Sequence, residues 1–235
     1  ISQSENNENF GAGIDGKMGV TSDFTLDYTI NPDFGQVEAD PSVLNLTSYE
    51  VFYDEKRPFF LEGKSILEYN AANDLVYYSR RIGHAPGYYP DVSENETLSL
   101  PENTSILNAL KFTGKNKKGL SLGVVNSMTA KENATIYSGD ESRKEAVEPF
   151  TNYFVGRLKQ DFNKGSTTIG GIATSTIRNI KDEQLEYLAD KSFVGGLDFE
   201  HNWKNRKYFV NGKSFFSSIN GSEESISRLQ RSSPH

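Results

Sequence analysis

Apolar and polar residues alternate along residues 18–30, MGVTSDFTLDYTI. Met18, Val20, Phe24, Leu26, Tyr28 and Ile30 share one parity, with Ser22 the polar exception, while Gly19, Thr21, Asp23, Thr25, Asp27 and Thr29 share the other. Successive strand side chains face opposite sides, so the pattern predicts one strand with an apolar and a polar face. Strands of soluble domains usually run about five or six residues, whereas a tilted strand crossing a bilayer needs roughly nine to eleven. A longer strand bearing Asp23 and Asp27 must turn that face to water and its apolar face to lipid or to a second sheet.

The period of two continues down the chain. Residues 43–53 (VLNLTSYEVFY) and 75–82 (LVYYSRRI) read as strands, and residues 106–113 and 120–129 flank GKNKKG as a hairpin. In the second arm Leu120, Leu122, Val124 and Met128 share a face on which Asn126 is the exception. Residues 150–162 and 166–178 follow across NKG, then 192–203 and 208–219 across KNR. In the 192–203 strand Phe193, Leu197, Phe199 and Trp203 lie opposite Ser192, Asp198, Glu200 and Asn202. Helical spacing takes over nowhere, and LEYLAD allows a single turn of helix.

About nine strands are expected. From residue 83 onward their connections alternate between long and short, the short ones at 114–119, 163–165 and 204–206 and the long ones including 130–149 and 179–190. Short periplasmic turns and long outer loops are the asymmetry of outer-membrane barrels. The pattern therefore predicts an all-β fold, an antiparallel up-and-down transmembrane β-barrel of which residues 18–235 are the N-terminal portion. Residues 1–17, polar and Gly-rich, lead into it. An odd strand count, ending in SRLQRSSPH with no closing strand, leaves edges that hydrocarbon does not tolerate, so further strands are expected. Residues 54–73 break the rhythm. By parity they fall at the periplasmic mouth, yet they are too long for a turn, so they are expected to enter the lumen or cover that mouth.

No run of eighteen apolar residues predicts a transmembrane helix. The mean hydropathy of -0.60 argues against a membrane only superficially, because barrel walls alternate and their loops are polar. The net charge of -7 excludes a general nucleic-acid binder, and the absence of cysteine removes thiol chemistry and disulfides. The opening ISQSENNENF has no secretory-signal features, so a signal is expected upstream of Ile1.

Candidate chemistry concentrates in DEKRPFFLEG. Glu55, Lys56, Arg57 and Glu62 surround Pro58, Phe59 and Phe60, and suit either a luminal charge patch that selects solutes or latches a plug, or an ion-pair cluster holding a turn in register. The second reading carries more weight, since charge clusters are usually structural. Phenylalanines left at an aqueous rim forgo about 1.5–3 kcal/mol of burial each, so Phe59 and Phe60 are predicted to pack against the inner wall or rim. Arg80 and Arg81, adjacent in a predicted strand, face opposite ways. One must be luminal or interfacial, because a lipid-facing arginine costs roughly 2–4 kcal/mol at mid-bilayer.

Other constellations are weaker. Asp33, Glu38 and Asp40 share a loop and could offer oxygens to calcium, but lack the spacing of a calcium loop. His84, His201 and His235 have no zinc-site spacing. The N-x-S/T triplets at Asn45, Asn95, Asn103, Asn133 and Asn220 are expected by chance. Tyr28, Phe162, Trp203 and Tyr208 suit an interfacial aromatic girdle, although a sandwich core would use the same types. GxSxG, a P-loop and HExxH are all absent, so neither an enzyme nor a cofactor is expected.

GVTSDFTLDYTINPDFGQVEADPSVLNLTSYEVFYDEKRPFFLEG (residues 19–63), followed by YYSRRIG, resembles a Bacteroidota-type family of unknown function. In that family a periplasmic carbohydrate-binding-module-like domain precedes an outer-membrane β-barrel, and this chain resembles the first part of the barrel. The resemblance implies location and architecture and supplies no catalytic residues.

The expected function is non-enzymatic passage, docking or assembly at the cell surface. The expected partners are outer-membrane lipid and other outer-membrane or periplasmic proteins, not nucleic acid. Phe24, Leu26, Leu197 and Phe199 should then contact lipid, while Asp23, Asp27, Asp198 and Glu200 face the lumen. Lys115 to Lys118, Lys164 and Lys204 to Arg206 would mark periplasmic turns, and residues 131–149 a surface loop. The rival is a secreted soluble β-sandwich that binds glycans, its two apolar faces packed together. It predicts ordinary strand lengths and no alternation of loop length.

Overall fold

The computed structural model describes residues 12–32, 53–71 and 74–231. The chain begins with a hairpin, β1 (Ile14–Gly19) and β2 (Phe24–Ile30). A long excursion follows, with two short helices, α1 (Pro58–Leu61) and α2 (Lys64–Leu67), the two-residue strands β3 (Asn70–Ala71) and β4 (Asp74–Leu75), a 3-10 turn at Ser79–Arg81, and β5 (Thr97–Ser99). Regular strands then resume as β6 (Ile106–Lys115), β7 (Leu120–Thr129), β8 (Glu132–Ser138), β9 (Glu141–Glu148), β10 (Phe150–Phe162), β11 (Thr167–Asn179), β12 (Ala189–Trp203) and β13 (Tyr208–Gly221), before a last helix, α3 (Glu223–Arg231).

Eight strands form one antiparallel sheet in the order β1-β2-β6-β7-β10-β11-β12-β13, and β5-β8-β9 form a smaller one. The fold is all-β and antiparallel, as expected. The main sheet does not close: β1 and β13 are its edges, so the barrel expected from the pattern is not formed within these residues.

Three expectations about elements need correction. Residues 18–30 are not one strand: Met18 and Gly19 end β1, residues 20–23 turn, and Phe24–Ile30 are β2, while residues 14–17, expected in the entry segment, begin the hairpin. Val20 and Thr21 donate backbone hydrogen bonds to the Phe24 carbonyl at 2.9 and 3.2 Å, and the Asp23 N–H donates to Thr21 Oγ1 at 3.2 Å. Ser22, the one exception in the alternation, sits in this turn. Met18 faces Leu26, Gly16 faces Tyr28 and Ile14 faces Ile30, so facing residues share parity and the alternation passes through the turn intact.

Residues 75–82 are likewise not a strand. The Arg57 guanidinium takes the carbonyls of Ser79 (2.8 Å) and Ile82 (2.6 Å), which a ladder would have needed, and the backbone coils into the 3-10 turn instead. Arg80 and Arg81 therefore do not alternate across a sheet. The strand expected at residues 43–53 lies, apart from Tyr53, outside the described residues. The expectation that no helix longer than a turn forms fails at α3, whose nine residues carry Glu223 and Glu224 in the first turn and Arg228 and Arg231 in the last, matching the helix dipole at both ends.

The asymmetry of connections is present. Tight turns at 20–23, 116–119, 163–166 and 204–207 all lie at one end of the main sheet, and its long connections lie at the other. Residues 131–149, expected as a loop, are ordered as the β8–β9 hairpin paired to β5.

The open face of the sheet is more apolar than its buried one. Down its centre the buried face mixes Thr29, Lys111, Thr113, Ser127, Thr129, Thr151 and Arg157 with Ala109, Val125, Val155 and Ile172, all no more than 8 % exposed. The opposite face carries Tyr28, Ile30, Leu110, Leu158, Ile169, Leu197, Phe199 and Phe216, all exposed, Leu197 to 67 % and Phe216 to 70 %. Registers such as Tyr28 against Leu110 and Asp27 against Lys111 keep the two sets separate from strand to strand. Of the expected face assignments, Phe24, Leu26, Leu197 and Phe199 do share the apolar face, and Asp27, Asp198 and Glu200 the polar one; Asp23 sits in the first turn.

Candidate functional site

The polar face is covered by the excursion itself. After β2 the chain leaves at the end away from the tight turns, and residues 53–71 then cross the polar face from β1 to β13. Residues 54–73 are expected to enter the lumen or cover the mouth; the described residues of that stretch pack against the buried face of the sheet.

The crossing starts at a buried ion pair. Arg57 Nε and Nη2 donate to the two carboxylate oxygens of Glu55 at 2.8 and 2.7 Å, and Ser79 Oγ donates to Glu55 at 2.6 Å. The Lys56 and Arg57 backbone amides also donate to Glu55, at 3.1 and 2.9 Å. Burial pushes the Glu55 carboxyl up, but the hydrogen bonds and charge of Arg57, with the Ser79 hydroxyl, outweigh it and hold the group below the usual carboxylate range. Arg57 also covers the Phe60 ring, 4.3 Å from its centroid.

Pro58 opens α1, where its missing N–H leaves no helical bond unmade. Phe60 is 3 % exposed and belongs to the core with Leu67, Tyr69, Ile82, Ile106, Ala109, Val125, Val155 and Ile172. Phe59 packs half-buried against that core. Its carbonyl accepts from Lys111 Nζ at 2.5 Å, and the same ammonium lies 4.9 Å from its ring and 3.4 Å from Asp27. Asp27 is 3.9 Å from Lys17, which pairs with Glu62. Gly63, at φ 73°, then redirects the chain into α2; a Cβ there would lie 3.1 Å from Thr113 Oγ1.

Further along, Leu67 fills the space above Gly123, where an added Cβ would stand 2.8 Å from its Cδ2. Tyr69 reaches the far strands, its hydroxyl 2.9 Å from the carbonyls of both Leu197 and Ser214. Gly196 makes room for it, since a Cβ would lie 3.0 Å from Tyr69 Cζ. The Tyr69 ring is flanked by Lys213 and by Arg157, which is locked bidentately to Asp198 at 2.6 and 2.9 Å.

Of the predicted residues, the structure brings Glu55, Arg57 and Phe60 into one buried knot and links Phe59 and Glu62 to β6 and β1. Lys56 is exposed, Arg80 half-buried and Arg81 exposed on the 3-10 turn. Sequence reasoning missed Ser79, Tyr69, Lys17 and Lys111. Lys111 alone left a signal, a lone charge between Leu110 and Phe112 at the parity of the polar face.

Among the described residues no three His, Asp or Glu side chains converge on a metal position. Asp33, Glu38, Asp40 and His235 lie outside those residues. His84 lies 3.7 Å from Glu148, and His201 bonds to Thr167 at 2.8 Å and stacks on Trp203. Chemically the crossing segment offers anchored charge and packing; Glu55 pairs with Arg57 within it and Glu62 with Lys17 of β1.

Residues 1–232 match a family model described as a domain of unknown function, DUF5916. No curated protein and no solved structure matches the chain significantly.

Proposed function

The chain belongs to the DUF5916 family, which carries no functional description, and on the geometry of its sheet we propose that it forms the N-terminal wall of an outer-membrane β-barrel. The carrying observation is the apolar face left exposed, while the face that mixes polar and charged residues with the core is the one buried beneath residues 53–71. In water such a sheet forgoes its largest gain from burial; in a bilayer the exposed face meets acyl chains. Strand lengths of ten to fifteen residues from β6 to β13, outside the small β5–β8–β9 sheet, and tight turns gathered at one end support the same reading. A glycan-binding sandwich would pack the apolar face under a second sheet, and among the described residues none covers it.

The crossing segment then lies in the lumen as a plug. A wall so obstructed suits docking, assembly or gated passage at the cell surface better than free diffusion, and it performs no bond chemistry. Single cysteines test the wall, because these residues contain none of their own. Cysteines at Leu26, Leu197 and Phe199, introduced into the natural full-length protein, should resist a water-soluble maleimide in membranes and react in denaturant. Equal reactivity in both conditions would show that the apolar face meets water and would end the barrel reading.

A further inference from the structure

We propose that the tight-turn rim is a collar for the headgroups of anionic glycerophospholipids. The inference rests on the membrane-wall reading and deepens it by naming the lipid that the wall selects.

Three neighbouring turns carry Lys117 and Lys118, Lys164, and Lys204, Arg206 and Lys207. All six are exposed, and among the described residues none enters an ion pair; Lys115 beside them is taken by Asp161 at 2.6 Å. This cationic rim stands on a chain of net charge -7. At the opposite end basic and acidic residues are mixed: the β8–β9 tip carries Asp140, Glu141 and Glu145 against Arg143 and Lys144, and Lys131 pairs with Asp182.

Immediately inside the rim, on the apolar face, lie Phe162, Trp203 and Tyr208, exposed to 45, 42 and 44 %. Trp203 faces Tyr208 in register and their rings stack at 6.0 Å, while Lys204 and Lys207 lie 5.5 and 5.9 Å from the Tyr208 ring. Apolar wall, then amphipathic ring, then cation is the order in which a leaflet presents acyl chain, glycerol backbone and phosphate. Lys164, Lys204 and Arg206 also sit at φ 59°, 48° and 64°, backbone positions where glycine or asparagine fits more easily than a long side chain. Turns of four residues end at headgroup depth, and with the short turns on the periplasmic side their cations meet the phosphates of the inner, glycerophospholipid leaflet.

Trp203, the single tryptophan of these residues, sits in the collar and serves as the reporter. The natural full-length protein is reconstituted in vesicles containing brominated phosphatidylglycerol, brominated phosphatidylcholine or brominated lipid A. Quenching is taken as the difference from the Trp203→Phe protein. Phosphatidylglycerol should be preferred over phosphatidylcholine by at least about threefold, and the preference should vanish at 1 M salt or when the six cations become Gln. Equal quenching by the two glycerophospholipids would overturn the collar while leaving the wall intact. A preference for lipid A without one for phosphatidylglycerol would overturn its lipid assignment. If no brominated lipid quenches Trp203, the wall reading fails together with the collar.

Discussion

Lys111 has 1 % of its surface exposed, and its Nζ is held by the Phe59 carbonyl, the Phe59 ring and Asp27. Removing one partner of a buried pair leaves the other uncompensated, at a cost of about 3–5 kcal/mol. Lys111→Met should therefore destabilise the purified protein by about 3 kcal/mol in urea unfolding, and adding Asp27→Asn should recover much of that loss. Glu55 gives a pH-dependent counterpart. Its folded-state pKa is lowered, so its stabilising contribution is full above the unfolded value, near 4.5, and is lost as pH falls below that through the depressed folded value. Hydrogen-exchange protection of residues 55–62 should be flat from neutrality to about pH 5 and should decline below it. Glu55→Gln should be less protected at neutral pH and should lack the decline. An unchanged decline in Glu55→Gln would assign the acid sensitivity to another carboxylate.

Among the elements, the crossing segment depends on its two aromatic anchors. Converting Phe59 and Phe60 to serine removes a ring that is 3 % exposed and the half-buried edge partner beside it, 5.0 Å away between centroids. Large-to-small changes at such sites cost about 3–5 kcal/mol, so the segment should loosen. Protease cleavage between residues 54 and 73 should rise and conductance in a planar bilayer should increase, whereas wild-type values in both would make the segment an ordinary exposed loop. The main-sheet strands from 106 onward were legible because each keeps its apolar parity from end to end and each tight turn carries Gly, Asn or Lys; the charged β8–β9 hairpin, read as a loop, was not. The first hairpin was not legible, since its register preserves parity through the turn, so the end of β1, the turn and β2 read as one long strand and the start of β1 as part of the entry. Nor was the fate of residues 75–82 legible. β-branched and aromatic residues there suggested a strand, but Arg57, some twenty residues earlier, claims their carbonyls, and propensity carries no trace of so distant a competitor. Within the site, the charge cluster was visible as composition, while Tyr69 gave no warning that Gly196 had left a space for it.

For the whole molecule, the gathering of tight turns at one end predicts an orientation. An epitope inserted between Gly139 and Asp140 should be reached by antibody on intact cells, and one inserted between Lys117 and Lys118 should be reached only after permeabilisation. The reverse pattern would invert the topology. The carbonyls that hold Tyr69 lie 128 and 145 residues farther along the chain. Contacts at such separation form slowly because the intervening loop must close first. Residues 58–70 are then expected to act as a mandrel on which β10 to β13 are wound. Deleting them should slow the appearance of protease-resistant β12–β13 in a pulse-labelling experiment, even where the final yield of folded protein is preserved.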